Sequence, residues 1–299
     1  PRELSGTDLG PYDAVCLGNP YCRRVDGNFS EKVALLPEAV SALRKAGKKV
    51  YVTTLAAPRG RDLPQAERLI DAAAEAGVQA LEIHNMGVLR ILREKGNPLP
   101  AHMGAYANVY THLAAQVMGE YGAVRVRPNA EVSLQEMEII AREAKIEVEV
   151  LAHGKIPLGV TDRCSLLTEP EETDPKCPSA CREEHWLTTR QWVLKTVGKG
   201  VLSGRDMCML EHLPQLLSAG FSIFKIEGLY ETAAYRSEIG RMYREALEMA
   251  ASGAAYEVRR GWADAIRKHS REGLCNGYYF GKTGRIYVGT VLQEGKPQV

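Results

Sequence analysis

KVYVTTLAAPRGRDLPQAERLIDAAAEAG, residues 49–77, contains one strand and one helix joined by a polar loop. Lys49–Leu55 is rich in β-branched and aromatic residues, which predicts a strand. After the Pro-Arg-Gly-Arg-Asp loop, an Ala-rich helix is predicted from about Pro64 to Ala76, closed by Gly77. The unit recurs on both sides. Asp13–Gly18 reads as a short buried strand, and Ser30 as the cap of a helix that runs to Ala46 and stops at Gly47. Further strands are predicted near residues 80–84, 100–103, 123–127, 146–151 and 222–226. Helices are predicted near 88–93, 109–120, 133–143, 210–218 and 232–250. This rhythm predicts an α/β fold around a parallel sheet, either open and doubly wound or closed as a barrel. No G-x-G-x-x-G follows any strand, which argues against a dinucleotide-binding sheet and favours a (β/α)8, TIM-barrel-like fold. The abrupt opening PRELSG leaves room for a first strand that has been lost or lies outside the sequence. Residues 1–250 are expected to form the barrel domain. Residues 251–299 are read as a C-terminal extension with polar-aromatic segments (Tyr278, Tyr279, Phe280, Tyr287) that suit a lid or a docking surface.

The chain has 299 residues, 45% of them hydrophobic, and a net charge of +1. That balance gives no overall drive towards nucleic acid, although a local basic groove is compatible with it. No run of 18 apolar residues would span a membrane, and no signal peptide is visible at the start. Seven cysteines in a large chain fit thiolate ligands in a reducing cytoplasm better than a disulfide scaffold.

Three of those cysteines lie in RCSLLTEPEETDPKCPSACRE, residues 163–183, with the spacing C-x12-C-x3-C at Cys164, Cys177 and Cys181. The stretch has no apolar periodicity and carries an acidic cluster, so it is a loop. A long loop in a compact enzyme is held by something, and a metal centre is one such anchor. Zinc knuckles use tighter pairs, whereas three thiolates plus a distant fourth ligand suit an iron–sulfur centre. Candidates for the fourth ligand are Cys22, Cys208 (read as the start of a helix) and Cys275; Cys16 reads as core packing. In either architecture the chemistry sits at the carboxyl ends of the strands. His84, Asn85, His102, Met103, Arg125, Arg127, Asn129, His153, Lys225 and Glu227 fall there beside Cys22. Arg125 and Arg127 alternate onto one side and would clamp a carboxylate, or else pair with Glu131. His153 is a candidate proton shuttle or hydrogen-bond donor to the centre. Lys225 and Glu227 share a face and form either a catalytic pair or a packed ion pair.

His153–Gly154, Arg163–Cys164, Lys176–Cys177 and Cys181–Arg182, with the stretches Ser203–Gly228 and Ala233–Leu247, together resemble the peptidase U32 family. The similarity runs from about Asp13 to Phe280 and implies a barrel of the TIM type. Pro157 stands where family members commonly carry a further cysteine. In that respect, and in CLGNPYCRR (residues 16–24) and CNGYY (275–279), the chain resembles the UbiV/UbiU branch, an oxygen-independent ubiquinone-biosynthesis hydroxylase. The resemblance implies that Cys22, Cys164, Cys177 and Cys181, the last three within the loop region 153–183, hold a four-iron, four-sulfur (4Fe–4S) cluster. It also implies anaerobic hydroxylation of a quinone precursor or related aromatic, an organic oxygen donor such as prephenate, and a homologous subunit as heterodimer partner. KIEG at Lys225–Gly228 is more typical of other family members, which keeps hydroxylation of a tRNA or rRNA base open as a second reading. A non-catalytic electron-transfer or scaffold subunit is a third. Proteolysis, which the family name suggests, finds neither G-x-S-x-G nor H-E-x-x-H here.

Overall fold

Six strands, β1 (Ala14–Leu17), β2 (Lys49–Thr53), β3 (Ala80–Ile83), β4 (Ala101–Met103), β5 (Ala123–Val126) and β6 (Glu147–Val160), lie in sequence order and pair in parallel. The crossovers carry α1 (Leu36–Lys45), α2 (Leu63–Glu75), α3 (Met86–Glu94), α4 (His112–Glu120) and α5 (Leu134–Ala144). The computed structural model describes residues 4–24, 29, 32–167, 177, 180–253 and 255–292. The helix starts follow local chemistry. Pro64 occupies the first turn of α2, Thr111 caps α4, and Ser133 and Glu136 form a reciprocal capping box on α5. The first helix starts at Leu36, with Pro37 in its first turn; the expected cap, Ser30, lies outside the described residues.

The parallel strands have two unlike faces. Val50, Val52, Leu81, Ile83, Ala101, Met103, Val126, Val148 and Val150 are buried in the main apolar core with helix residues such as Leu69, Leu89 and Met137. Between them, at the alternate positions, stand Tyr51, Thr53, Glu82, His102, Arg125 and Glu147. Thr53 pairs in register with Glu82, Glu82 with His102, His102 with Arg125 and Arg125 with Glu147. Period-two alternation puts this row on the inner face, so the inside of the curled sheet is polar.

After β6 the chain departs from the predicted rhythm. The strand is 14 residues long. Its first half pairs in parallel with β5 and with a later strand, and its second half pairs antiparallel with a ribbon that the sequence reading did not anticipate. That ribbon consists of β7 (His185–Thr188), β8 (Val193–Thr196) and β9 (Gly200–Cys208). Cys208 therefore ends a strand and does not begin a helix. The chain continues through α6 (Leu213–Ser218), β10 (Ile223–Ile226), α7 (Ala233–Ala251), α8 (Arg260–His269) and β11 (Leu274–Cys275). In the sheet, β10 joins β6 and β11 joins β9. Trp262, Ile266, Leu274, Tyr279 and Leu292 are buried in the same core as Leu213 and Ile239.

The fold is thus α/β with a curled, mostly parallel sheet that makes a half-barrel over the described residues, consistent with the TIM-barrel-like expectation. Among the described residues no strand pairing joins β1 to β10. That seam is bridged by side chains: Asn19 Nδ2 donates to the Tyr230 hydroxyl at 2.7 Å, and the Tyr12 hydroxyl to the Arg236 carbonyl at 2.5 Å. Among the described residues no helix is long and apolar enough to cross a membrane.

Gly154 lets β6 and β10 approach each other. Its φ is +107°, and a Cβ there would run into the backbone carbonyl of Glu227. Gly154→Ala is expected to destabilise the fold by about 2 kcal/mol or more, read as a lower midpoint in denaturant unfolding.

Candidate active site and thiol pocket

Glu82 is the centre of the polar interior. Its Oε2 accepts from Cys16 Sγ at 2.9 Å and from Lys225 Nζ at 3.2 Å, so β3 is tied to β1 and, across the curl, to β10. Its Oε1 stands 3.6 Å from His84 Nε2, which also meets Thr53 Oγ1 at 3.0 Å. Burial alone would raise the Glu82 pKa, but Lys225, His84, the Cys16 hydrogen bond and Arg127 outweigh it and hold the carboxyl well below its usual range. Lys225 follows the same logic with opposite sign: burial would lower its pKa, and Glu82 and its acidic neighbours raise it. A second pair, Arg127 Nη1 to Glu227 Oε2 at 3.4 Å, lies nearby.

His84 is buried and neutral. Desolvation, with Arg127 and Lys225, lowers its pKa to about 4 against the pull of Glu82. His102 lies edge-on to Tyr51, and burial and Arg125 lower its pKa to about 3.

Lys225, Glu227 and Arg127, singled out from the sequence, therefore meet in one chamber. Arg125 shares the inner face but belongs to a different group, donating to Glu147 at 3.0 Å and facing His102 at 3.5 Å. The expected alternative partner, Glu131, instead accepts from Tyr110. Asn85 caps α3, and Met103 packs outward into the core. His153 is not in the chamber. The register between β6 and β10 shifts between Lys225 and Ile226, so Lys225 pairs with Leu151 while Ile226 pairs with His153. This bulge moves His153 to the helix face. There its Nδ1 meets the Tyr243 hydroxyl at 3.2 Å, and burial, Lys155 and His269 lower its pKa to about 3. Cys16, read as packing, and Glu82, which was not singled out within its strand, belong to the chamber. The signal for both was their place in the inner-face alternation.

The thiols form a second compartment. Cys22, Cys164, Cys177 and Cys181 line one pocket with Leu166, Leu167, Val197 and Gly198; the acidic part of the loop lies outside the described residues. Cys22 is positioned by Asn19, whose Oδ1 accepts from the Tyr21 and Cys22 amides at 2.9 and 3.3 Å. Cys164 lies against Gly198, whose φ is +82° and whose Cβ, if present, would stand 3.0 Å from the sulfur. Ser165 Oγ ties that turn down by donating to the Gly198 carbonyl at 2.9 Å. The Cys181 pKa is pushed up to about 11 by burial and then by Cys22, Cys177 and Cys164. Cys208 and Cys275 are buried elsewhere, the first against the Tyr243 hydroxyl and the second in β11. Among the described residues no group of three or more His, Cys, Asp or Glu side chains is arranged to hold a single metal ion.

A tyrosine layer joins the two compartments. Val197 packs with Tyr21 and Leu202, Tyr21 meets Tyr106 edge-on at 5.9 Å, and Tyr106 lies 5.6 Å from the His84 ring. Burial raises the pKa of both tyrosines, so they stay protonated.

The sequence profile of peptidase family U32 matches residues 11–288. The chain belongs to the U32 family. Among its relatives, an uncharacterized protease of Methanocaldococcus jannaschii is 29% identical over 267 residues, covering 85% of this chain and 64% of that protein. The chain thus spans under two thirds of that relative. The tRNA hydroxylation protein P of Escherichia coli is 24% identical, covering 89% of this chain and 72% of its own length. The tRNA hydroxylation protein P2 of Bacillus subtilis is 26% identical and covers 88% and 89%.

The buried imidazoles set a pH dependence for this U32 chain. His84, His102 and His153 have folded-state pKa values lowered to about 4, 3 and 3. The unfolded chain binds protons from about pH 6.5 downward while the folded chain does not, so stability is full above that pH and falls towards pH 4. Each imidazole contributes a slope of about 1.4 kcal/mol per pH unit in that window. Urea unfolding from pH 7 to pH 4.5 is expected to show this slope, reduced by about one proton in His84→Gln.

Proposed function

We propose that this chain hydroxylates an RNA base, tRNA foremost, without molecular oxygen, and that Cys22, Cys164, Cys177 and Cys181 hold an iron–sulfur cluster. The observation that carries the reading is the convergence of Cys22 with three thiols of the distant 163–183 loop on one pocket beside a charged chamber. The donor set fits such a group. Four soft sulfur ligands, in a pocket that Leu166, Leu167 and Val197 line together with Arg24 and Lys199, suit an iron–sulfur centre. Their arrangement does not suit a single ion. When bound, the cluster would supply electron transfer or an iron site for an oxygen-bearing ligand.

The chain's own residues have separable tasks. Arg127 and Lys225 present positive charge to an anionic group of an organic oxygen donor, each balanced by a carboxylate that keeps it in place. Glu227 is positioned to hold or move a proton on the substrate. The tyrosine layer keeps bulk water from the chamber. An RNA base displaces the quinone precursor as the expected substrate, because two of the relatives named above are tRNA hydroxylation proteins. An enzyme role is favoured over a scaffold on the same ground.

A peptidase is disfavoured by the thiols themselves. Burial holds Cys16 well above its ordinary pKa and raises Cys208 and Cys275 to about 12 and 11, whereas a cysteine nucleophile needs a lowered pKa.

Protein purified without oxygen is expected to be coloured and to contain iron and sulfide, and Cys22→Ser to lose most of both. In cells lacking the gene, tRNA nucleosides carrying one added oxygen should disappear, return with the wild type and stay absent with Cys22→Ser. Glu227→Gln should retain iron and tRNA affinity yet lower the hydroxylation rate by about a hundredfold. Colourless anoxic protein, or a deletion that leaves every tRNA nucleoside unchanged, would refute the reading.

A further inference from the structure

We propose that the tip of the β7–β8 hairpin is an RNA-docking platform. Trp192 and Tyr278 would stack nucleotide bases there, and Arg190, Lys282 and Arg285 would meet the phosphates. The proposal rests on the RNA reading above and adds a surface to it, away from both the thiols and the chamber.

The tip is rigid and presents its aromatic residue outward. Thr189 N donates to the Trp192 carbonyl at 2.8 Å, and Thr189 Oγ1 accepts from the Gln191 and Trp192 amides at 3.2 and 2.9 Å. Trp192 is nevertheless 47% exposed, which is unusual for so large an apolar side chain. The Arg285 guanidinium lies 4.0 Å from its ring centroid, and Arg285 Nη1 donates to the Gln191 carbonyl at 2.8 Å. Beside Arg285, the ring of Tyr278 covers Gly284 and remains exposed at 37%. Two aromatic faces and a fixed guanidinium plane are the parts from which sequence-tolerant base stacking is built.

The local charge is one-sided in a chain that is otherwise balanced. Residues 185–195 and 273–288 contain no Asp or Glu, but contain Arg190, Lys195, Lys282 and Arg285. Lys195 is buried and paired with Glu184 and Glu231. Among the described residues no ion pair holds Arg190, Lys282 or Arg285, all exposed, whereas Arg90, Arg142 and Arg259 each have a carboxylate partner. Protein interfaces also favour aromatics and Arg but are depleted of Lys, so it is the unopposed cations, Lys282 among them, that favour a polyanion here.

The hairpin also sets a distance. Thr196, at its base, meets Ser165 Oγ at 3.0 Å, next to Cys164. With strand residues rising about 3.3 Å each, Trp192 stands about 13 Å further along the hairpin. A nucleotide stacked there cannot be the one at the thiols; the platform holds its flanking neighbours.

Binding of an unmodified tRNA transcript to the full, anaerobically prepared chain tests this across a range of salt concentrations. Trp192→Ala is expected to weaken binding by about tenfold with an unchanged salt slope, and Trp192→Phe to restore most of it. Arg190→Gln combined with Lys282→Gln should make the slope of log K against log salt shallower by between 1 and 2 (about 0.7 to 0.9 per lost phosphate contact). Iron content and melting temperature should stay at wild-type values. Wild-type affinity and slope in both Trp192→Ala and the double variant would overturn the platform and leave the RNA reading intact. A wild type that binds no tRNA transcript would overturn both. Loss of self-association in Trp192→Ala, with tRNA affinity unchanged, would overturn it in favour of a second copy of the chain.

Discussion

The carboxylate of Glu82 meets the ammonium of Lys225 at 3.2 Å across the inside of the curled sheet, and the rest of the interior is arranged around that contact. Removing either charge from water costs several kcal/mol, and leaving one unpaired costs about 3–5 kcal/mol. The interior meets that requirement by compensation: Cys16 also donates to Glu82, and Arg127 has its own carboxylate in Glu227. Ordinary barrels fill this space with layers of branched apolar side chains, and that packing helps the sheet to close. Here the same space holds charge. The helix side supplies the apolar burial, and the seam beside β1 is bridged by polar contacts from Asn19 and Tyr12. Such an interior adds little to stability, but it provides fixed dipoles and charges at the place where a bound molecule would meet them.

Much of this was legible in one-dimensional pattern, because alternation along a strand is a strict geometric rule. The sequences KVYVT, ALEI and AVRV specify which side chains pack under helices and which look inward, and the same alternation puts Lys225 on the inner face beside Glu82. The rule fails where the backbone breaks it. One register shift between Lys225 and Ile226 moves His153 to the helix face, and nothing in LAHGK announces a bulge. The β7–β9 ribbon was missed for another reason. β7 and β8 have four residues each, β9 is interrupted by Gly and charged residues, and the ribbon draws its order from the pairing of β9 with the far half of β6, a non-local contact that local propensity does not encode. Glu82 went unread, and Cys16 was read as packing, because a lone acid or thiol inside an apolar strand has no signature until its partners, far along the chain, are brought beside it.

The chamber and the thiol pocket are distinct, yet they share a wall. Val197 lines the thiol pocket and also packs on Tyr21, Tyr21 meets Tyr106, and Tyr106 meets His84, which stands beside Glu82. The side chains in this path are neutral: the tyrosines are held protonated and His84 is unprotonated at neutral pH. Negative charge developing at the thiols would therefore not be met by a mobile counter-charge in the wall. It would be met first by Arg24 and Lys199, which line the thiol pocket itself, and then, through the neutral wall, by the buried cations Lys225 and Arg127.

The state of the thiols discriminates between the chemistries that the family name and its relatives bring together. A hydrolytic cysteine works as a single thiolate, lowered in pKa by a neighbouring base or cation. The pocket does the reverse: burial and three neighbouring sulfurs push the Cys181 thiol up to about 11, so each deprotonation makes the next harder. Such an arrangement is unfavourable for a nucleophile, and a multiply charged cation among the sulfurs would offset the repulsion. The shape of the turn points the same way. A side chain at residue 198 would crowd Cys164, and glycine with positive φ is the residue that leaves that sulfur room in the pocket.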